Sequence, residues 1–329
     1  MALKQSEVKV ILCVLAISCL LLVSAILYWS AQCLVERDAS ARQELVSGLA
    51  KSLDQVQEET GPGSRAPHHL CILVPFRDRF QELLEFAPHM KSFLDTQKIS
   101  YEVWVLNQVD GYRFNRASLI NVGFKESSKS CDYIGMHDVD LLPINQRLDY
   151  TYPGDTPMHI SSPGLHPKYD YETFIGGIFL ISRQTFKLVD GMSNKYWGWG
   201  LEDDEFFVRL RQSNIEISRP KQIGTGKTNT FKHIHTAKER KRDNVKCYNQ
   251  ANLTRRRDRQ TGLSTLDYHL VKKQNLVIDK ADVHLLDIKL ICDTDLTPWC
   301  NCTGAPPETA AKDRTRDEDV IVPLIKRKP

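Results

Sequence analysis

The chain has 329 residues, 41% of them hydrophobic, and its 44 basic and 41 acidic side chains leave a formal charge of +3. That apolar share excludes a disordered polyelectrolyte, and the length leaves room for one large or two modest domains. The near balance of charge gives no footing for a nucleic-acid partner; the basic residues after Lys232 and the terminal Lys326-Arg327-Lys328 read as solvated surface.

Residues 10–35 carry no charge and hold Val10-Ile11-Leu12, Leu20-Leu21-Leu22 and Ile26-Leu27 before Tyr28-Trp29. About 20 apolar residues span a bilayer, so this run predicts one transmembrane helix with an aromatic end. A cleaved signal peptide is the competing reading, since Ser30-Ala31-Gln32 is tolerable for cleavage, but the run exceeds the roughly 7 to 15 residues of a signal core. Lys4 and Lys9 precede it, which predicts a cytoplasmic tail over 1–9 and a type II orientation. Residues 36–66, rich in Glu, Gln, Ser and Ala, read as a stem ending at Gly61-Pro62-Gly63.

A globular body is expected over 67–302. Leu70 to Val74, Tyr101 to Leu106 and Tyr133 to Met136 are apolar runs, separated by helical patterns over Phe80 to Phe93 and Arg116 to Phe124. Strand, helix, strand, helix, strand with apolar strands predicts an α/β fold, a mostly parallel sheet flanked by helices. Ligands of such sheets sit beyond the carboxyl ends of the strands, which gathers Pro75 to Arg79, Asn107 to Asp110 and His137 to Asp140 on one edge. Phe174 to Leu180 reads as a further strand entered through Gly176-Gly177, Ile215 to Ser218 as a short strand, and Leu286, Ile288 and Leu290 as a late one. Residues 303–329 mix Gly, Pro, Thr and charge without pattern and read as a disordered tail.

Of the nine cysteines, Cys13, Cys19 and Cys33 belong to the membrane segment, Cys71, Cys131 and Cys247 are scattered, and Cys292, Cys300 and Cys302 cluster. A bridge from Cys292 to Cys300 or Cys302 fits an oxidising lumen; a zinc site is the competing reading and lacks a fourth ligand at a recognised spacing. Asn252-Leu253-Thr254 and Asn301-Cys302-Thr303 are glycosylation sequons.

The chemistry concentrates in Trp197-Gly198-Trp199-Gly200-Leu201-Glu202-Asp203-Asp204-Glu205. Four acids opening a helix, before Phe206, Phe207 and Leu210, have a structural explanation in the macrodipole. The preceding indoles and glycines have none, and they suit a mobile loop on which a sugar can stack beside a carboxylate base. Asp138 and Asp140, two residues apart at a strand end, can point the same way towards a cation, although such triplets also arise as loop-solvating pairs. His233 and His235 have the same spacing; two imidazoles and one carboxylate suit a borderline transition metal, and Mn2+ tolerates both donor types. Arg77, Arg79 and Arg116 are candidates to reach a diphosphate or its nucleoside, and Tyr169 and Tyr171 offer rings to a sugar. Each of these also has an ordinary reading as surface charge or strand packing.

With these residues in view, the chain resembles the β-1,4-galactosyltransferase family of Golgi glycosyltransferases. The resemblance rests on Pro75-Phe76-Arg77-Asp78-Arg79, Phe114-Asn115-Arg116-Ala117, Asp138-Val139-Asp140, Gly176-Gly177 and Trp197 to Asp204, in that order, and covers about residues 69–302. Asn107 to Asp110, Leu119 to Phe124, His233-Ile234-His235 and Thr297 to Cys300 point to members whose acceptor is xylose. The family implies a GT-A fold, UDP-galactose as donor and Mn2+ as cofactor, with Asp140, His233 and His235 as metal ligands and Asp203 as catalytic base. It also implies donor contacts from Pro75, Arg77, Arg79, Phe114, Arg116, Asp138, Val139, Gly177 and Trp199, and acceptor contacts from Tyr169, Tyr171, Trp199, Glu202, Asp203 and Asp204. One departure is Phe174, where relatives often carry Tyr; it keeps the bulk, loses the hydroxyl, and leaves galactose against its N-acetylamino analogue open.

The expectation is therefore a Golgi type II enzyme that transfers galactose with inversion to xylose on serine of proteoglycan core proteins, its loop closing on Gly198 and Gly200 to exclude water. A sister transferase with an N-acetylglucosamine acceptor or an N-acetylated donor is the enzymatic rival. A silent carbohydrate-binding scaffold is the rival from another class.

Overall fold

The computed structural model describes residues 68–303, apart from 128, 130 and 236–239. The tail, anchor and stem expected over 1–66 and the tail from 304 onward lie outside them. Among the described residues no helix is long and apolar enough to cross a membrane.

The chain opens with β1 (His69–Phe76), α1 (Phe80–Asp95), β2 (Ser100–Gln108), α2 (Arg116–Glu126) and β3 (Tyr133–His137), the alternation its apolar runs predict. It continues through β4 (Leu141–Pro143), β5 (Met158–His159), β6 (Ile178–Ser182), α3 (Arg183–Leu188), α4 (Glu202–Gln212), β7 (Phe231–His233), α5 (Gln250–Leu253), β8 (Tyr268–Ile278) and β9 (Ala281–Leu290). Seven strands form one sheet in the order β5-β6-β3-β1-β2-β9-β8, and β4 and β7 form a separate two-stranded ribbon.

The sheet is mixed rather than mostly parallel. β1 pairs parallel with β2 and β3, and β2 with β9, whereas β6 runs antiparallel to β3, β5 to β6 and β8 to β9. The parallel strands are central, and Leu70 to Val74 have no exposure because both faces are covered. One core contains α2 and the apolar side of α4; the other contains Leu83, Phe86, Met90 and Phe93 of α1. Asn115 caps α2 through its side chain, which accepts from Ser118 N at 2.9 Å. Gly123 lets α2 lie close on the sheet, since a Cβ there would stand 2.7 Å from Leu106 Cδ1.

Three local expectations change. The strand expected from Phe174 begins at Ile178, because Gly177 at φ +79° turns the chain first. Ile215 to Ser218 contributes only a bridge between Ser218 and Met158. The late strand has a longer partner, β8, whose solvent-exposed positions and register shift between Leu270 and Lys272 erase the alternation that would have announced it.

Three disulfides fix the body: Cys71–Cys131, Cys247–Cys302 and Cys292–Cys300. The last is one of the two pairings open to Cys292. Cys302 bridges to Cys247, so the zinc reading of this cluster falls.

Candidate active site

A cavity of about 370 Å³ opens at the carboxyl ends of the parallel strands. Pro75, Arg77 and Arg79 after β1, Phe114 and Arg116 at the start of α2, and Asp138 to Leu141 after β3 line one part of it. Tyr169, Tyr171, Phe174, Gly176, Trp199, Glu202 and Asp203 line another, and His233, His235 and Arg240 to Asp243 complete it. Most of the residues singled out in the sequence thus meet in one place.

The ribbon of β4 and β7 builds the first cluster. Its register sets Leu141 opposite His233, and Ile234 N donates to Asp140 O at 3.1 Å, so Asp140 comes beside the histidine pair. His233 Nε2 lies 3.5 Å and His235 Nδ1 3.2 Å from Asp140 Oδ2, and the three ligand atoms lie within 4.8 Å of one another. His233 Nδ1 is 2.8 Å from His235 O and donates to it, which leaves Nε2 as the nitrogen facing Asp140. His235 Nδ1 is buried and makes no hydrogen bond, the orphaned atom that a cation would satisfy. Burial, with His233 and Lys168 nearby, lowers the His235 pKa to about 4, so the ring is neutral at pH 7. Burial first, then repulsion from Asp138, raises that of Asp140. One carboxylate and two imidazoles therefore fit a transition cation such as Mn2+. Lys168 Nζ stands 3.1 Å from His233 Nε2.

Asp138 does not join this set. Its Oδ1 accepts from Arg116 Nε at 2.9 Å and its N–H donates to Gly177 O at 3.1 Å, so the two aspartates face different partners. Gly177 itself lies behind the cavity wall, where a Cβ would stand 2.5 Å from Ser161 Oγ. Arg77 lines the cavity but commits its guanidinium to the β2 turn, donating to Gln108 O, Tyr112 O and Asp110 O at 2.7 to 3.2 Å.

The four acids of α4 divide by direction. Glu202 and Asp203 face the cavity. Asp204 is buried and accepts from Tyr171 Oη at 3.3 Å. Glu205 has no exposure and accepts from Arg257 Nη1 at 2.6 Å and Arg209 Nη2 at 3.3 Å, a structural ion pair. Burial first, then the charge of Asp203, pushes the Glu202 pKa up to about 7, and burial also raises that of Asp203. The Arg116 guanidinium balances them. Burial alone would lower its pKa, but Asp138, Glu202 and Asp203 together hold it above the ordinary value. Gly176 permits this crowding, because a Cβ there would stand 2.5 Å from Asp203 Oδ2.

Aromatic rings form the remaining wall. Phe174 contacts Tyr169 and Tyr171 with centroids 5.1 and 5.3 Å away. Arg242 lies 4.3 Å from the Trp199 ring centroid and 5.6 Å from that of Tyr169, and donates to Tyr169 Oη. The Trp199 loop is held from behind: Trp199 N donates to Asp243 O at 2.8 Å, and Arg113 joins Asp243 Oδ2, Gln250 Oε1 and Trp299 O at 2.6 to 3.0 Å. Gly198, at φ +83°, faces that guanidinium so closely that a Cβ would collide with it.

Sequence reasoning missed His166, Lys168, Arg240, Arg242 and Asp243 as cavity residues. The last three sat in what looked like a solvated charge run, and nothing local distinguishes them. Asn252 and Asn301 are exposed.

Comparison with known proteins bears on this geometry. Residues 156–234 match the model described as the N-terminal domain of galactosyltransferase, and 30–153 that of the N-terminal region of glycosyl transferase group 7. The chain is 52% identical over 259 residues to Drosophila melanogaster beta-1,4-galactosyltransferase 7, covering 78% of this chain and 80% of that one. It is 47% identical over 238 residues to the Caenorhabditis elegans xylosylprotein 4-beta-galactosyltransferase, covering 71% and 82%. A crystal structure of a mutant of the Drosophila beta-1,4-galactosyltransferase 7, complexed with manganese, UDP-Gal and xylobiose, is similar at TM-score 0.71 and 55% identity, covering 72% of this chain and all of that one.

Fold and cavity together define a GT-A-like glycosyltransferase. The chain belongs to the β-1,4-galactosyltransferase family.

Proposed function

We propose that this protein is an inverting galactosyltransferase that moves galactose from UDP-galactose to the 4-hydroxyl of β-xylose on serine of proteoglycan core proteins. The observation that carries the reading is the meeting, in one cavity, of the Asp140-His233-His235 set with Glu202 and Asp203. Relatives that bear the name and a neighbour complexed with manganese, UDP-Gal and xylobiose support the donor, acceptor and cofactor.

Asp140, His233 and His235 hold Mn2+, which when bound supplies Lewis-acid stabilisation of charge on the leaving diphosphate. Lys168, beside His233, adds a second positive charge on that side. Arg116 fixes Asp138 and keeps the neighbouring acids from repelling one another out of position. Asp203 takes the proton of the xylose hydroxyl as its oxygen attacks the anomeric carbon on the face opposite UDP, and that single displacement turns the α donor linkage into a β product. Trp199, Tyr169, Tyr171 and Phe174 present flat apolar faces that receive sugar rings and exclude water.

The test is transfer by the purified full-length protein from UDP-galactose and UDP-N-acetylgalactosamine to xyloside and N-acetylglucosaminide acceptors. Galactose transfer to xyloside with Mn2+ is expected. Brisk transfer to the other acceptor with none to xyloside would assign the sister activity instead, and sugar binding without turnover would assign a scaffold.

The cellular setting is part of the proposal: a single-pass type II protein of the Golgi membrane with a lumenal body. The uncharged run over 10–35, the short basic end before it, three disulfides and two exposed sequons support it. Protease added to sealed vesicles should spare the body; its digestion would reverse the orientation.

A further inference from the structure

A buried imidazole stands directly behind the cavity wall. β5 ends the seven-stranded sheet, and its register with β6 sets His159 opposite Phe179. His159 has no exposure, and its backbone N–H donates to Ser218 O at 2.9 Å. Burial, outweighing the hydrogen bond to Gly176 O, lowers its pKa to about 3, so the ring is neutral at pH 7. A leucine would fill this place in the core at less desolvation cost, and His159 Nδ1 makes no hydrogen bond. The contact that accounts for the ring lies on its other nitrogen.

That contact is with the glycine turn. His159 Nε2 lies 2.9 Å from Gly176 O, an acceptor that requires the proton on Nε2. Ser161 Oγ donates to the same carbonyl at 2.8 Å and accepts from Ile178 N at 2.7 Å. Both lone pairs of Gly176 O are thus engaged, and Asp138 N donates to Gly177 O at 3.1 Å. Two consecutive glycines are the least stiff stretch a backbone can have, so a fixed turn here has to be held from outside.

Two groups of the site rest on this turn. Asp203 Oδ1 accepts from Asp204 N at 3.0 Å, while Oδ2 abuts Gly176, 2.5 Å from where a Cβ would stand. A rotation of the Gly176 peptide would carry the backbone into the carboxylate or away from it. The His159 ring also meets Phe174 edge to face, with centroids 5.3 Å apart, so one imidazole supports both the aromatic wall and the stop against which the acid lies. Neither His159 nor Ser161 lines the cavity itself.

We propose that His159, assisted by Ser161, is a positioning residue for galactosyl transfer: its Nε2–H fixes the Gly176 carbonyl and, through that peptide, the orientation of Asp203. The proposal rests on the reading of Asp203 as the base. It requires no contact between the ring and either sugar, and the imidazole acts as a neutral hydrogen-bond donor.

The test is a mutant cycle in the full-length protein with UDP-galactose, a xyloside and Mn2+. His159→Leu keeps the bulk and removes the donor; kcat should fall about tenfold or more while the UDP dissociation constant, measured by calorimetry, stays within about twofold. His159→Gln, whose amide can donate from nearly the same place, should recover most of the rate. In an Asp203→Asn background, His159→Leu should cost less than about twofold, because no base is left to align. Ser161→Ala releases the same carbonyl by a smaller change, and it closes the cycle with the same pattern if His159→Leu does not fold. An unimpaired His159→Leu, no recovery by His159→Gln, or a loss of equal size with and without Asp203 would each overturn the positioning role while Asp203→Asn alone is still deleterious. An unimpaired Asp203→Asn would instead refute the base, and the proposal with it.

Discussion

Two neighbouring acids of α4 face the cavity, and the proposed chemistry rests on one of them. Asp203→Asn keeps the shape of the side chain and removes the proposed base, so turnover should fall roughly 100-fold or more while UDP binding, measured by calorimetry, is retained. An unimpaired rate would remove Asp203 from the mechanism. Glu202 holds its proton up to about pH 7 because burial and the charge of Asp203 both disfavour ionisation. The pair repel reciprocally, and the base is active only when ionised, so kcat/KM should decline as pH falls. Asp203 loses its proton while Glu202 is still protonated, so Glu202→Gln should leave that acid limb in place; a limb moved to lower pH would show that ionised Glu202 opposes the charge on Asp203. The sequence displayed all four acids of this turn but could not sort them. What separates Glu202 and Asp203 from Asp204 and Glu205 is Arg116, Tyr171 and Arg257, supplied from distant parts of the chain.

At the level of elements, turns and ribbons set the site. Gly176→Ala should lower turnover at least tenfold with little loss of Tm, because the new methyl would have to displace Asp203 Oδ2 or the Phe174 ring. His235→Ala leaves the ribbon of β4 and β7 intact but removes one donor; the Mn2+ concentration for half-maximal activity should rise about tenfold or more. An unchanged metal titration would take His235 out of the ligand set. The elements beside these residues were legible to different degrees. β1, β2 and β3 announce themselves as apolar runs because both of their faces are covered, and α2 through its spacing. β4 and β7 have three residues each, too few for a period to be seen, and their pairing joins positions about 90 residues apart. The histidine pair could therefore be singled out as candidate ligands by its spacing, but its pairing with Asp140 could be proposed only from chemistry and resemblance.

Over the whole molecule, the chain's parallel centre followed from alternating helices and apolar runs, while the antiparallel flanks did not, since β5 and β6 approach through turns and β8 is an exposed edge. Stability has its own centre apart from the cavity. Arg209 is 2% exposed, pairs with Glu205 and donates to the carbonyls of Asp190, Gly191, Asp258 and Thr261 at 3.0 to 3.3 Å. Arg209→Met should cost about 3 to 5 kcal/mol in urea unfolding, because it leaves buried Glu205 with Arg257 alone and strips several buried carbonyls of their donor. A loss below about 1 kcal/mol would mean that water replaces the guanidinium.

β4, which follows Asp140 directly, and β7, which bears His233, are hydrogen-bonded to each other and, among the described residues, to no strand of the seven-stranded sheet. Leu141, Leu142 and Phe231 nevertheless root that ribbon in the interior beneath α1, so it keeps its place although it shares no ladder with the frame. The proposed metal grip and the proposed proton acceptor thus stand on separate supports that are aligned through packed side chains rather than through a common ladder.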